Sequence, residues 1–464
     1  MSVQGKVEKY AAAWQKAFQD NTARQRLEML FDKDTFVEMD GFAEASGVIC
    51  GYGAVMGSPV CAFAQDGGGV GAAHSKKVQK LYDLALKTGV PVVGIYDSHG
   101  ARVDEGIGAL DAYGEMLLRI NNLSGVVPQI SLVLGICAGT SAVLACSADY
   151  VVMSEKAEFF LSSPAAGDDA EGAGSAANAA KAGVAHVVCA DDAASCNAAR
   201  KLIGMLPLNN LSSPPCAEYA EVQNSAQMLE GLELSCETVK GSEIAAAVCD
   251  LESALELLAE FGQGAYTAMA TMGGLPCGFV ATNGDKLDAD SCVKIAKLVT
   301  VCDAFQIPVL TFVNTPGIKP SAKAELCGSV RELAKLAHVY AEATTAKISV
   351  VTGKAYGAAY VALAGRAAGT DYTVAWPGAT ISALEPKTAV AFLYSDRITN
   401  ETPREQVEDE YCENEASPLA AARGGYIDDV IPANLTRPAI LAAMDLLSAK
   451  RVSKNPKKHG NLPM

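Results

Sequence analysis

Apolar residues first recur at helical spacing in an otherwise polar stretch, where Leu27, Leu30 and Phe31 share one face. This predicts a helix starting near Ala12 and running into an extended segment that ends near Asp40. Across residues 47–64 the pattern alternates and is punctuated by Gly51, Gly53 and Gly57-Ser58-Pro59, which predicts strands joined by tight turns. From Ser75 onward, short apolar runs alternate with amphipathic stretches. That is the pattern of a sheet buried on both faces by helices, so the fold class is α/β. No charge falls between Ile120 and Ala148, a length that could span a bilayer. Asn121, Asn122, Pro128, Gln129, Gly135 and Gly139 interrupt it, so it is expected to be a buried strand, a glycine turn and a buried helix, with no membrane insertion. The Ala- and Gly-rich segment 164–183 predicts a mobile loop or lid. The proline- and serine-rich stretch Leu206–Pro215 is the best linker, and the basic tail Lys450–Met464 is expected on the surface or against a partner subunit.

The pattern repeats. Pro91-Val92-Val93-Gly94-Ile95-Tyr96-Asp97-Ser98-His99-Gly100 is matched by Pro308-Val309-Leu310-Thr311-Phe312-Val313-Asn314-Thr315-Pro316-Gly317, an offset of 217 residues. Ile130–Gly135 is matched by Ile348–Gly353, and Gly139 by Gly357, both at an offset of 218. Asp149-Tyr150 pairs with Asp371-Tyr372 after a small insertion. Unlike motifs held in one order at a near-constant offset indicate two homologous domains, placed at 1–225 and 226–464.

Composition narrows the function. A net charge of −16 argues against nucleic-acid binding, which needs clustered Lys and Arg, but still allows an anionic small molecule. Fourteen cysteines stand singly, with no C-x-x-C pair, as at Cys137, Cys146, Cys292 and Cys302. They are expected to be buried, reduced thiols of a cytoplasmic protein, with no metal site. The N-terminus has no apolar signal-peptide core. His74, His99, His186, His338 and His459 lack metal spacing, and no P-loop, G-x-S-x-G or H-E-x-x-H motif is present.

In each half an apolar run ends in a glycine, a short turn and a small-residue helix: Gly135-Ile136-Cys137-Ala138-Gly139-Thr140, and Gly353-Lys354-Ala355-Tyr356-Gly357-Ala358. The first N–H groups of a helix have no internal partner, and the helix dipole adds positive potential there. Two such groups facing a carbonyl oxygen form an oxyanion hole. The alternative is that the glycines only allow helix and strand to pack closely.

Longer segments carry a resemblance. They include Thr22–Leu27, Gln65–His74, Asp97–Arg102, Gly125–Ile130, Cys302–Pro308, Asn314–Gly317, Lys354–Gly357, Ala375–Pro377, Gly425–Ile431 and Lys458–Pro463. In these the chain resembles the carboxyltransferase subunits of biotin-dependent acyl-CoA carboxylases, typified by the propionyl-CoA carboxylase β chain. It also resembles the α subunits of glutaconyl-CoA and methylmalonyl-CoA decarboxylases. The resemblance implies two tandem crotonase-like ββα-superhelix domains in a homo-oligomer, dimer-based and up to a hexamer, with active sites between the N-domain of one protomer and the C-domain of another. By position, Gly139 and Thr140 would hold the thioester oxygen of a coenzyme A thioester as an enolate, and Gly357 and Ala358 the ureido oxygen of biotin. Gly100, Ala101, Ala138, Tyr356 and Val361 would line the substrate sites. The chain has no Met-Lys-Met biotinylation sequence. The resemblance therefore implies biotin on a separate biotin carboxyl carrier protein, charged by a biotin carboxylase subunit.

The sequence departs from the family in places. Thr140 and Ala358 stand where glycine is usual, His99 replaces a glycine, and the loop Pro320–Glu325 loses a glycine and a glutamine. Residues 165–183 do not match the family's usual segment. Val361 stands where propionyl-type enzymes have an aspartate, so the acyl group is left open. Three readings remain: an acyl-CoA carboxyltransferase, the α subunit of a sodium-pumping decarboxylase, and a non-catalytic paralogue in a hetero-oligomeric carboxylase.

Overall fold

The computed structural model describes residues 3–43, 46–163, 172–235, 239–452 and 454–463. The chain divides into two compact units, Met1–Pro215 and Cys216–Met464. The division falls at the end of the proline-rich stretch, ahead of the border expected at 225/226.

Unit 1 begins with two helices, α1 (Val3–Ala17) and α2 (Thr22–Leu30), where the periodicity predicts one. Asn21 separates them: its backbone is extended, and its side chain accepts from the Arg24 amide at 2.8 Å, an N-cap that restarts the helix. Then come β1 (Val37–Met39) and the antiparallel hairpin of β2 (Val48–Val55) and β3 (Ser58–Gln65). Helix α3 (Ala72–Thr88), β4 (Val92–Ser98), α4 (Ile107–Leu123), β5 (Gln129–Ala138), α5 (Thr140–Cys146), β6 (Tyr150–Ser154), β7 (Glu158–Phe160), α6 (Ala176–Lys181), β8 (Val187–Cys189) and α7 (Asp192–Met205) complete the unit. The uncharged stretch is thus a buried strand, a glycine turn and a short helix. Residues 164–171 of the expected lid lie outside the described residues. Its end is not a loop: alanines favour helix there, and Ser175 caps α6 by accepting from the Asn178 amide at 3.3 Å. The sheet runs β1-β2-β3-β4-β5-β6-β8, with β7 on the far end of β5. From β3 onward every pairing is parallel. Phe63, Tyr82, Tyr96, Tyr113, Met116 and Met153 fill the core.

Unit 2 opens with α8 (Ser225–Leu234), α9 (Gly241–Val248) and β9 (Leu255–Glu256). The antiparallel hairpin of β10 (Ala265–Met272) and β11 (Leu275–Thr282) follows. Next are α10 (Ala289–Ala304), β12 (Val309–Thr315), α11 (Ala322–Leu326), α12 (Ser329–Glu342), β13 (Lys347–Tyr356), α13 (Gly357–Leu363), β14 (Tyr372–Ala375) and β15 (Thr380–Ser382). Helices α14 (Pro386–Leu393), α15 (Arg404–Asn414) and α16 (Pro418–Arg423), then β16 (Asp429–Val430) and α17 (Thr436–Leu447), end the unit. Its sheet runs β16-β14-β13-β12-β11-β10-β9, with β15 on the far end of β13.

The duplication extends to side chains that the sequence repeat leaves unexplained. Asp149 accepts from the Gln129 amide at 2.8 Å, and Asp371 from the Lys347 amide at 2.8 Å, each closing the start of the central strand. An acid also clips each hairpin turn. Asp32 accepts from the amides of Met56 (3.1 Å) and Gly57 (2.9 Å) and pairs with Arg200 at 2.7 Å. Asp250 accepts from Gly273 (3.0 Å) and Gly274 (2.8 Å) and pairs with Arg437 at 2.7 Å. Among the described residues all cysteines are free; Cys137, Cys292 and Cys302 are buried as expected, but Cys146 is exposed because it lies on the outer face of α5.

Candidate functional site

The site of unit 1 grows out of a bulge. Strands β4 and β5 keep register from Val92↔Gln129 to Tyr96↔Val133, and the next pair is Ser98↔Cys137, so β5 carries two extra residues around Gly135. A bulge breaks the ladder and leaves backbone groups to find other partners. Arg26, from α2, donates to the Leu134 carbonyl at 2.7 Å, and the Ile136 amide donates to Asp97 Oδ1 at 3.2 Å. Arg26 also pairs with Asp97 at 2.6 Å and with Asp192, at the start of α7, at 2.9 Å. Burial pulls the pKa of Arg26 down, but its two carboxylate partners outweigh that and raise it. On the other side, Gln65 Oε1 accepts from the Asp97 amide at 3.0 Å.

Beyond the bulge Ala138 is buried, and Gly139 turns the chain at φ 61°, ψ −131°, a region closed to most side chains. The Gly139 amide is already taken: it donates to the Phe160 carbonyl of β7 at 2.9 Å. Gly139 therefore supplies the turn, and Thr140 is the first residue of α5, where a helix amide has no partner within the helix. Ser141, next in the helix, is buried 2.7 Å from the hydroxyl of Tyr113 on α4.

A second segment lies alongside. Ser98 Oγ donates to the Gly68 carbonyl at 2.8 Å and accepts from the Gly100 amide at 3.2 Å. Val70 donates to the Gly100 carbonyl at 2.8 Å, and Arg102 to the Val70 carbonyl at 2.9 Å. Successive amides of extended chain point in opposite directions, so the Ala101 N–H points away from Val70, to the β5 side. A Cβ built on Gly100 would stand 3.5 Å from the Ala138 carbonyl oxygen, so the two segments touch. Gly100, Ala101, Ala138, Gly139 and Thr140 are thereby brought together.

Unit 2 repeats the arrangement with other residues. Register passes from Val313↔Val351 to Thr315↔Ala355, again with two extra residues, here around Gly353. Asn314 Oδ1 accepts from the Lys354 amide at 3.0 Å, in the place of Asp97. Thr282 Oγ1 accepts from the Asn314 amide at 2.6 Å, in the place of Gln65. Thr315 donates to the Asp285 carbonyl at 2.8 Å and accepts from the Gly317 amide at 3.3 Å. Gly317 approaches the Tyr356 carbonyl to 3.7 Å from its built Cβ. Tyr356 is buried, Gly357 half-buried, and Ala358 exposed on α13; Val361, one turn further along, is exposed. Gly317 and Ile318 correspond to Gly100 and Ala101 at the offset of 217, and the sequence reading did not include them among its candidates.

Two of the histidines are buried. His74 is buried beside Gln65, and burial lowers its pKa to about 4. His186 Nδ1 accepts from the Val151 amide at 3.1 Å. Among the described residues no group of His, Cys, Asp or Glu is placed to hold a metal ion, and no helix is long and apolar enough to cross a membrane.

Residues 16–462 match the family model of the carboxyl transferase domain. The chain belongs to the carboxyl transferase family. It is 35% identical to the propionyl-CoA carboxylase beta chain of Saccharopolyspora erythraea, over 98% of this chain and 92% of that one. It is 36% identical to the methylmalonyl-CoA decarboxylase subunit alpha of Propionigenium modestum, over 96% and 93%. A crystal structure of transcarboxylase 12S, a hexamer with hydrolysed methylmalonyl-coenzyme A bound, superimposes with a TM-score of 0.92 at 32% identity, covering 100% of this chain and 99% of that one. The two units of this carboxyltransferase are accordingly crotonase-like.

Proposed function

We propose that the protein moves a carboxyl group between carrier-bound biotin and a short-chain acyl-CoA, with one oxyanion hole in each unit. The observation that supports this is the pair of matching turns, each a helix-start amide beside an extended segment whose glycine admits close approach. In unit 1 the amides of Thr140 and Ala101 hold the thioester oxygen as the α-carbon loses its proton. In unit 2 the amides of Ala358 and Ile318 hold the ureido oxygen of biotin. Gly357, like Gly139, shapes the turn, and Tyr356 and Val361 border the biotin side. The glycine-lined approaches at Gly317 and Gly357 leave room for a planar urea against the backbone. Biotin supplies the carboxyl group and, once relieved of it, accepts the α-proton. It arrives on a biotin carboxyl carrier protein charged by a biotin carboxylase subunit. The carboxyltransferase works in the cytoplasm as a homo-oligomer built from dimers, up to a hexamer; its free thiols fit that compartment.

The test is exchange. Purified protein with malonyl-CoA or methylmalonyl-CoA and free biotin should release acetyl-CoA or propionyl-CoA only when biotin is present. Absence of exchange with every short-chain acyl-CoA, for folded protein, would overturn the proposal. The 36% identity to a decarboxylase alpha subunit favours a second reading, the same chemistry run towards decarboxylation. Co-purification with an integral membrane subunit would decide for it.

A further inference from the structure

Both units bulge the central strand at the same place, yet they fill the bulge differently. Unit 2 uses a neutral amide, Asn314. Unit 1 uses the ion pair of Arg26 and Asp97, with Arg26 buried and backed by Asp192. The bulge amide therefore does not need a carboxylate as its acceptor. Nor does stability account for it, because desolvating a buried ion pair roughly cancels its attraction.

What the ion pair adds is a rigid two-point hold. The guanidinium takes the Leu134 carbonyl at 2.7 Å on one flank of the bulge, and the carboxylate takes the Ile136 amide at 3.2 Å on the other. The forked guanidinium meets carboxylate and carbonyl in fixed directions, which a single-point contact does not. Four residues beyond Leu134 and one beyond Cys137 stands Ala138, which abuts Gly100, and then the Gly139 turn. Asp97 itself lies in the strand leading into Ser98, Gly100 and Ala101. One side chain thus ties together the two segments that carry the Ala101 and Thr140 amides.

We infer that Arg26 and Asp97 are positioning residues for the unit 1 hole, setting the spacing of its two amides; this rests on the assignment of that hole to the thioester. Displacing a reacting group by about 1 Å can cost about 100-fold in rate, so a loosened bulge acts on turnover and not on acyl-CoA binding.

The experiment compares D97N, which puts the unit 2 residue beside Arg26 and removes the ion pair, and R26K, which keeps the charge but loses the fork, with R200M as a control. Arg200 clips the hairpin turn and touches neither segment. D97N and R26K should lower kcat at least ten-fold, leave KM and the calorimetric Kd for acyl-CoA within two-fold, and speed hydrogen exchange at the amides of residues 136–141. R200M should lower Tm and leave kcat and that exchange unchanged. If D97N and R26K change Tm alone, or R200M slows turnover as much as they do, the positioning role is overturned. A wild-type protein without transfer activity overturns the functional reading instead, and the exchange rates still decide the positioning role.

Discussion

Gly135 faces the carboxylate of Asp97 with no room for a side chain: a Cβ built on the glycine would stand 2.2 Å from Oδ1. Gly353 faces Asn314 in the same way, at 2.4 Å. The glycine that ends each apolar run is therefore kept open for a side chain of the neighbouring strand. Gly139 is different, since its φ is positive and the nearest atom to its built Cβ, the Leu161 carbonyl oxygen, is 3.9 Å away.

These two glycines should respond differently to alanine. Gly135→Ala overpacks the bulge and should cost about 1–3 kcal/mol. Gly139→Ala strains the backbone and should cost a similar ~1–3 kcal/mol. A double-mutant cycle with Asp97→Ala separates them by chemical denaturation. Gly135→Ala should couple to it by ~1 kcal/mol or more, and Gly139→Ala should not couple.

The outward amides can be removed one at a time. Proline is tolerated in the first helical turn, where it deletes an N–H that has no internal partner. Thr140→Pro and Ala358→Pro should each lower kcat for exchange by ~100-fold, the effect of losing one oxyanion donor worth about 3 kcal/mol. Circular dichroism should show helix content unchanged, and loss of activity through misfolding would show there first.

His74 should make the fold sensitive to mild acid. Burial lowers its pKa to about 4 in the folded state, below the ordinary 6.5. The unfolded chain then binds the proton first, so stability is complete above pH 6.5 and declines as pH falls towards 4. The loss should reach ~1 kcal/mol by pH 5.5, since each unit of separation is worth about 1.4 kcal/mol. Urea midpoints measured at pH 7.5 and 5.5 should diverge in wild type and draw together in His74→Gln.

The two hairpin clips should differ in strength. Arg437 and Asp250 are 7% and 1% exposed at their side chains, whereas Arg200 and Asp32 are 24% and 27% exposed. Arg437→Met strands a buried carboxylate and should destabilise by ~3–5 kcal/mol. Arg200→Met leaves Asp32 within reach of water and should cost clearly less, which thermal unfolding would resolve. Burial alone would raise the pKa of Asp250, but Arg437, the turn amides and Thr271 together lower it. Its contribution is therefore present above the ordinary carboxylate pKa and is lost as pH falls through the folded value.

The sequence by itself determined the α/β class, the two-fold repeat and the glycine turns, because periodicity and a constant offset are properties of neighbours along the chain. It located Gly139 and Gly357 for the same reason. It could not show that the Gly139 amide is occupied by Phe160, since that bond depends on β7 pairing with the end of β5. The break at Asn21 and the helix at Ala176–Lys181 turned on single capping bonds, weaker signals than the runs around them. Arg26 meets Asp97 across 71 residues of chain, and only strand register and the packing of α2 bring them together. The neutral Asn314 that corresponds to Asp97 was visible in the repeat; its meaning came from the bulge, which exists only once β12 and β13 are aligned.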